Sequence, residues 1–197
     1  MTSTRLDPAP RPPTATVRRE AILNAATAIA TDGGYVAVRM RVVADRAGIA
    51  VGSLYRYFPS KSHLLVSVLT REFARLDDEG DWATTADTPW QRLEVLNGRL
   101  RREWQDRPAL TEAVTRAFVV ADGTVDVVQA EEFIARMMAR AIAGGDPTSR
   151  QMQIAAVVAD VWLANLTAWV RQRATTAECC QRLDHATRLL LARELQE

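Results

Sequence analysis

One lysine, two histidines and two cysteines are all that this 197-residue chain holds of those residue types. The cysteines, Cys179 and Cys180, are adjacent, and neighbouring cysteines rarely bridge each other. Neither a disulfide framework nor a zinc-ligand spacing is available, which makes a reducing, cytoplasmic location the expectation. The histidines, His63 and His185, stand in no metal-binding or nucleophile–base arrangement. Glu131 and Glu132 are consecutive, point to different helical faces, and form no acid–base pair. No metal, cofactor or catalytic residue is therefore expected, and an enzyme is the class these absences weigh against. An apolar leader is also missing: the N-terminus carries LDPAPRPPT, a Pro-rich stretch that reads as a disordered tail over residues 1–15. The longest apolar run, Ile154 to Val170, is interrupted by Asp160, Asn165 and Thr167. It reads as a buried helix rather than a membrane span, so no membrane partner is expected.

Charge is balanced overall, at +1, but not evenly distributed. Residues 1–61 hold nine Lys/Arg against four Asp/Glu, and residues 62–197 hold sixteen against twenty. A basic N-terminal third on a mildly acidic body fits one part that faces nucleic acid and one that avoids it.

After residue 15 the apolar spacing is helical almost throughout, with no strand-like alternation of useful length and no internal repeat. The fold class expected is all-α with nine helices, divided as 1–15 tail, 16–61 first domain and 62–197 second domain. Ile22, Ala25, Ala26 and Ile29 repeat at i, i+3, i+4, i+7, and Gly33-Gly34 closes the first helix. Ser60 caps a fourth with Leu65, Val68, Leu69, Phe73 and Leu76 on one face. Thr88-Pro89-Trp90-Gln91 is a capping box with Pro in the first turn, opening a fifth with Leu93, Leu96, Leu100 and Trp104. Pro108 opens a sixth, and a seventh runs from Val125 to Gly144-Gly145. Asp146-Pro147 begins the longest, about 26 residues to Arg173, and Thr176 begins the last.

Residues 39–61, RMRVVADRAGIAVGSLYRYFPSK, carry the most information. Val42, Val43 and Ala47 give a short second helix an apolar side, and Gly48 supplies the left-handed bend that ends it. Ile49 and Leu54 anchor a third helix whose other positions are small or polar. Two helices joined this way form a helix-turn-helix, whose second member enters the DNA major groove. Gly52 and Ser53 let the backbone approach the groove. Arg56 can fork onto a guanine edge, and Tyr55 and Tyr57 can offer hydroxyls to phosphates or else pack between helices. Lys61 sits in a helix first turn, where the dipole disfavours a cation, so a partner is expected. Arg18, Arg19, Arg39 and Arg41 are phosphate candidates or solvated surface. This segment, LYRYFPSK above all, resembles the DNA-binding domain of TetR-family regulators. The resemblance implies contacts to double-stranded operator DNA from Val51, Gly52, Ser53, Tyr55, Arg56, Tyr57 and Lys61. Two departures stand out: Arg39 and Ala50 occupy helix N-caps where the family often has Thr or Ser, at a cost of about 1 kcal/mol each.

The body is rich in large apolar side chains. Phe73, Leu96, Leu100, Trp104, Phe118, Phe133, Met137, Trp162 and Leu166 read either as packed core or as the wall of an enclosure for a small hydrophobic effector. Asn165, with Thr115 or Arg116, offers such an enclosure polar handles, or Asn165 bonds a neighbouring helix. The last two helices are apolar over much of their girth, with Trp169 on one and Leu183, Ala186, Leu189 and Leu190 on the other. TetR-family proteins pair through these helices, which implies a homodimer with recognition helices about 34–36 Å apart.

A closer resemblance extends beyond the helix-turn-helix. GGYVAVRMRVVADRAGIAVGSLYRYFPSKSHLLVSVLTREFAR, LTEAVTRAFVVAD, VVADVWLANLTAWVRQRA and RLDHATRLLL are similar to the KstR group within that family, actinobacterial repressors of steroid and cholesterol catabolism. That likeness implies an inverted-repeat operator and release by a steroid-derived acyl-CoA, with Arg99, Arg101 and Arg102 as candidates for its anionic portion. The alternatives are a TetR-type repressor answering a fatty acyl-CoA or a drug, or a small all-α enzyme.

Overall fold

The computed structural model describes residues 14–81, 86–122, 124–125 and 127–192, with the side chain of Trp104 outside the described set. Nearly all of the predicted tail falls outside it too. Among the described residues the chain forms nine helices and no strand: α1 (Ala15–Ala37), α2 (Met40–Arg46), α3 (Val51–Tyr57), α4 (Lys61–Asp78), α5 (Pro89–Asp106), α6 (Pro108–Val119), α7 (Val127–Ala143), α8 (Ser149–Val170) and α9 (Thr176–Leu191).

The local chemistry explains most boundaries. Helix α1 is broken at Gly34, whose φ of 64° and ψ of −165° suit only a residue without a Cβ. Helix α2 ends in a Schellman turn: Ile49 N–H donates to the Ala44 carbonyl and Gly48 N–H to that of Asp45, with Gly48 at φ 67°. Neither Arg39 nor Ala50 makes a side-chain cap, so α2 and α3 begin with unassisted amides. Ser60, Thr88, Thr148 and Thr175 do cap their helices, the last three in reciprocal capping boxes.

Two expectations need correction. Val42 is exposed and α2 turns Val43 and Ala44 inward instead. Helix α8 spans 22 residues, starting at Ser149 after the Thr148–Gln151 box rather than at Asp146-Pro147. It stops at Val170, because Gln172 adopts φ 55° and lets Arg173 N–H reach the Ala168 carbonyl. As assigned, α1 with 23 residues exceeds it.

Packing joins both ends of the molecule. Ile22, Leu23 and Ala26 of α1, Val43 of α2, Leu54 of α3 and Leu64, Leu65 and Val68 of α4 belong to the same buried cluster as Leu93, Ile134, Met138 and Trp162. Arg71 of α4 ties back to α1 through Asn24 at 2.8 Å and Thr27 at 2.7 Å. Asp77, at the other end of α4, pairs with Arg140 of α7. Helix α8 is long and apolar enough to cross a membrane by length and composition. Yet Ala155, Val158, Ala159, Trp162 and Leu166 bury one side of it in this cluster.

Arg92 is the buried cation of the body. Its Nε and Nη2 donate to the carbonyls of Ala141 and Ile142 at 3.0 and 2.8 Å, satisfying the C-terminus of α7. Its Nη1 donates to the carbonyls of Ala86 and Asp87. Gly144, at φ 73°, passes so close that a Cβ would sit 3.1 Å from the guanidinium. Arg92→Met keeps the bulk and orphans these carbonyls, so it should cost about 3 kcal/mol. Thermal unfolding should then fall by roughly 6–12 °C for a chain of this size. A melt within about 2 °C of the parent would mean that water replaces the guanidinium without loss.

Candidate nucleic-acid interface and internal cavities

Leu54 is the one fully buried residue of helix α3, with Tyr57 packed half-buried beside it against the core. That inward side sets the helix's rotation. Val51, Gly52, Tyr55 and Arg56 consequently face outward and Ser53 lies at the edge. A Cβ at Gly52 would meet nothing within 4 Å, so the start of α3 presents bare backbone. Arg56 Nη2 rests on Ser53 Oγ at 3.1 Å, which holds the guanidinium along the exposed face. The two tyrosines separate: Tyr55 projects, 48% exposed, while Tyr57 is half-buried against the core. Arg18 borders the groove between α1 and the α2–α3 turn, beside Gly48 and Ser53. Arg19 lies over the Phe58 ring at 5.3 Å, and Arg39 and Arg41 are exposed.

Lys61 opens α4 directly after the Ser60 cap, at the first helical position expected of it. Its ammonium donates to the Tyr35 carbonyl and stands 3.5 Å from the centre of the Tyr35 ring. Tyr35 N–H in turn donates to Glu112 Oε2 of α6 at 3.4 Å, and Arg116 covers the ring at 5.0 Å while pairing with Glu112. Burial lowers the Lys61 pKa, the nearby charge of Arg116 lowers it further, and Glu112 opposes both. Without DNA, the cation in the first turn of α4 thus has an internal carbonyl and ring for partners, at a seam where α1, α4 and α6 meet. His63, two residues along, bonds Ser60 Oγ through Nδ1 and the Thr124 carbonyl through Nε2, both at 2.9 Å. Since a carbonyl only accepts, Nε2 carries the proton.

Between α4, α5, α6 and α8 lies an apolar cavity of about 50 Å³. Leu69, Phe73, Leu76, Leu100, Leu110, Val114, Trp162 and Leu166 form its walls. Phe73 and Trp162 meet edge to face, ring centres 5.1 Å apart. Glu72, Glu103 and Arg107 close one side as an ion network that includes Arg75. Burial, the largest influence on Glu103, would raise its pKa, but hydrogen bonds from Arg107 and Arg75 hold it below the ordinary value. A second cavity of about 60 Å³ lies behind Leu100 and Trp162, between α5, α8 and α9, and is lined by Asn97, Asn165, Cys179 and Leu183 among others. Asn165 Nδ2 bonds the Val161 carbonyl of its own helix at 2.9 Å, not a neighbouring helix. Burial pushes the thiols of Cys179 and Cys180 up, which makes both poor nucleophiles.

The predicted enclosure is therefore brought together in part. Phe73, Leu100, Trp162 and Leu166 line the apolar cavity, Asn165 lines the polar one, and Leu96 and Met137 are packed core. Phe118 and Phe133 are half-buried and border neither of these two cavities, and Trp104 is outside the described side chains. Thr115 does line the apolar cavity, whereas Arg116 covers Tyr35 at the surface. Sequence reasoning missed Leu110, Val114 and Asn97, although Leu93, Leu96, Asn97 and Leu100 share the i, i+3, i+4, i+7 spacing. At the far end, Leu183 is a correction: it is 7% exposed and turned into the protomer. Leu189 is 65% exposed, with Ala186, Leu190 and Trp169 half-buried. Helix α8 adds exposed Ala156, Val157 and Ala164, which the sequence reading had not singled out. Among the described residues no group of three His, Cys, Asp or Glu side chains is placed to hold a metal ion.

Comparison with known proteins agrees with this layout. Residues 22–68 match the model described as bacterial regulatory proteins, tetR family, and residues 86–190 that of the tetracyclin repressor-like C-terminal domain. The chain is 55% identical over 177 residues to the HTH-type transcriptional repressor KstR of Mycobacterium tuberculosis, covering 88% of this chain and 80% of that protein. A TetR transcriptional regulator from Rhodococcus sp. RHA1 superposes with a TM-score of 0.80 at 28% identity, over 90% of this chain and 96% of its own. The TetR-family repressor FadR of Thermus thermophilus, solved in complex with lauroyl-CoA, shares the fold at a TM-score of 0.69 and 19% identity, over 88% and 93%. These relatives are regulators and not enzymes, and the chain belongs to the TetR family of transcriptional repressors.

Proposed function

We propose that this repressor binds an inverted-repeat operator as a homodimer in the cytoplasm, reads it with α3, and releases it on binding a CoA thioester of a steroid-derived acid. The observation that carries the DNA-reading part is the inward side of α3, Leu54 with half-buried Tyr57, which leaves Gly52, Ser53, Tyr55 and Arg56 on one open face. The steroid class rests on the likeness to KstR repressors over most of the chain. The apolar cavity supports a hydrophobic effector of some kind. At about 50 Å³ it is far below the ~300–1,000 Å³ that ligand sites usually span, so such a body must part α4 from α8 at Phe73 and Trp162. Helix α4 carries Lys61 at its other end, and shifting it loads the Tyr35 seam and the α3 platform together. Release follows if the effector favours the parted state over the DNA-competent one. A fatty acyl-CoA is the second reading, supported by the FadR neighbour at the level of fold alone.

Arg56→Ala should weaken operator binding by about 1–3 kcal/mol while changing affinity for random duplex much less. Fluorescence anisotropy on both duplexes measures this, and equal losses would take Arg56 out of the base-reading set. The dimer is expected to form on exposed α8 and α9 faces, so joint Val157→Asp and Leu189→Asp should yield monomers in sedimentation velocity, since unpaired charges in an apolar seam are costly. A wild-type monomer at micromolar concentration contradicts the homodimer. Operator release titrated with steroid-acid CoA thioesters, the free acids and fatty acyl-CoAs decides the effector class. Release by fatty acyl-CoAs and by no steroid thioester would leave only the repressor assignment standing.

A further inference from the structure

Asn97 has no evident structural purpose. It occupies an apolar stripe position on α5, between Leu96 and Leu100, and is only 9% exposed. Neither its Oδ1 nor its Nδ2 has a hydrogen-bond partner. A buried amide left so costs folding free energy, and a leucine there would complete the stripe at no such cost. The amide borders the polar cavity, which is divided from the apolar cavity by Leu100 and Trp162, residues common to both linings. On the apolar side, the Thr115 hydroxyl is likewise buried and unpartnered. Two unspent polar groups therefore flank one apolar partition.

We propose that the two cavities are compartments of one effector site, and that Asn97 recognises an uncharged oxygen, hydroxyl or ketone, at the buried end of the ligand. The inference rests on the effector-binding reading above. The ligand's apolar body fills the Phe73–Leu166 compartment and displaces the Leu100–Trp162 partition. Its terminal oxygen then accepts from Asn97 Nδ2 or, as a hydroxyl, also donates to Oδ1. The polar compartment is lined by Glu94 and Asp184 against Arg101, a balance that disfavours an anion. The group that reaches Asn97 is therefore neutral, and the anionic CoA portion lies outside this compartment. A water molecule would fit the polar compartment, which exceeds the minimum of roughly 10–15 Å³, and is the bland occupant to be excluded.

The test uses the full-length protein and two steroid-acid CoA thioesters identical except for one ring hydroxyl at the end remote from the thioester. Wild type should bind the hydroxylated thioester roughly tenfold more tightly by calorimetry, the scale of one net hydrogen bond. Asn97→Leu should lose that preference by weakening the hydroxylated ligand alone, with the deoxy ligand within about twofold of wild type. The free variant should also melt higher than wild type, because no unpaired amide remains buried. Asn97→Ala serves as a second variant should the leucine overpack. A wild type without preference, a variant that keeps it, or equal weakening of both ligands would overturn the proposal. If neither thioester binds wild type while a fatty acyl-CoA does, the steroid reading fails separately. The same comparison with an ω-hydroxylated and a plain fatty acyl-CoA then decides the role of Asn97.

Discussion

Helices α2 and α3 are seven residues each and begin without a side-chain cap. Segments that short do not hold helical structure in water by propensity alone. They are held because their inward residues are buried: Val43, Ala44, Leu54 and, just beyond, Phe58 all lie in the core they share with α1 and α4. The DNA-reading surface is thus positioned from behind. Helix α4 is the critical element, since its first turns share the common core with Leu54 through Leu64, Leu65 and Val68, and it forms a wall of the apolar cavity at Leu69, Phe73 and Leu76. One rigid helix of 18 residues serves two buried surfaces that its own sequence must satisfy together.

That double duty gives coupling a physical route. The seam at Tyr35 fastens α1 to α4 through Lys61 and to α6 through Glu112, while Arg71 fastens α4 to α1 one face over. Helix α6 also walls the cavity through Leu110 and Val114. Anything that widens the cavity between α4 and α6 therefore acts on two helices that share a single aromatic residue of α1. The lowered pKa of Lys61 reflects a cation drawn partly out of water and beside Arg116, with Glu112 opposing both. Close packing turns small displacements into discrete rearrangements rather than smooth bending.

Features governed by local chemistry were legible in the sequence. Gly48 announced the α2–α3 turn, Ser60 and Thr88 announced helix starts, and the spacing of Leu65, Val68, Leu69, Phe73 and Leu76 announced the buried side of α4. Where two local signals competed, reading failed. Asp146-Pro147 and Thr148 both offer a helix start, and the reciprocal Thr148–Gln151 box prevailed. The end of α8 was invisible because a glutamine, not a glycine, takes the left-handed position at Gln172. Tertiary partners lay beyond sequence reasoning altogether. Lys61 was recognised as needing a partner, but nothing in spacing points 26 positions back to Tyr35. Leu183 was assigned to a stripe with Leu190, yet the buried row of α9 is Cys179, Leu183, Thr187 and Leu191, four apart throughout.

Arg92 and Asn97 lie on successive turns of α5 and resolve the same problem in opposite ways. Burying the guanidinium is tolerable because four carbonyls accept from it, two of them the otherwise orphaned C-terminus of α7. Arg92 is a structural group: remove it, and the carbonyls around it lose their donors. Asn97 leaves nothing unsatisfied but itself. A buried polar side chain that helps no neighbour is a net cost in the free protein, and that cost is recovered only when a hydrogen-bonding group arrives from outside the chain. The asymmetry separates the two residues on physical grounds alone. It assigns α5 a scaffold end at Arg92 and a sensing stretch from Asn97 to Leu100, beside the helix that supports the DNA-facing surface.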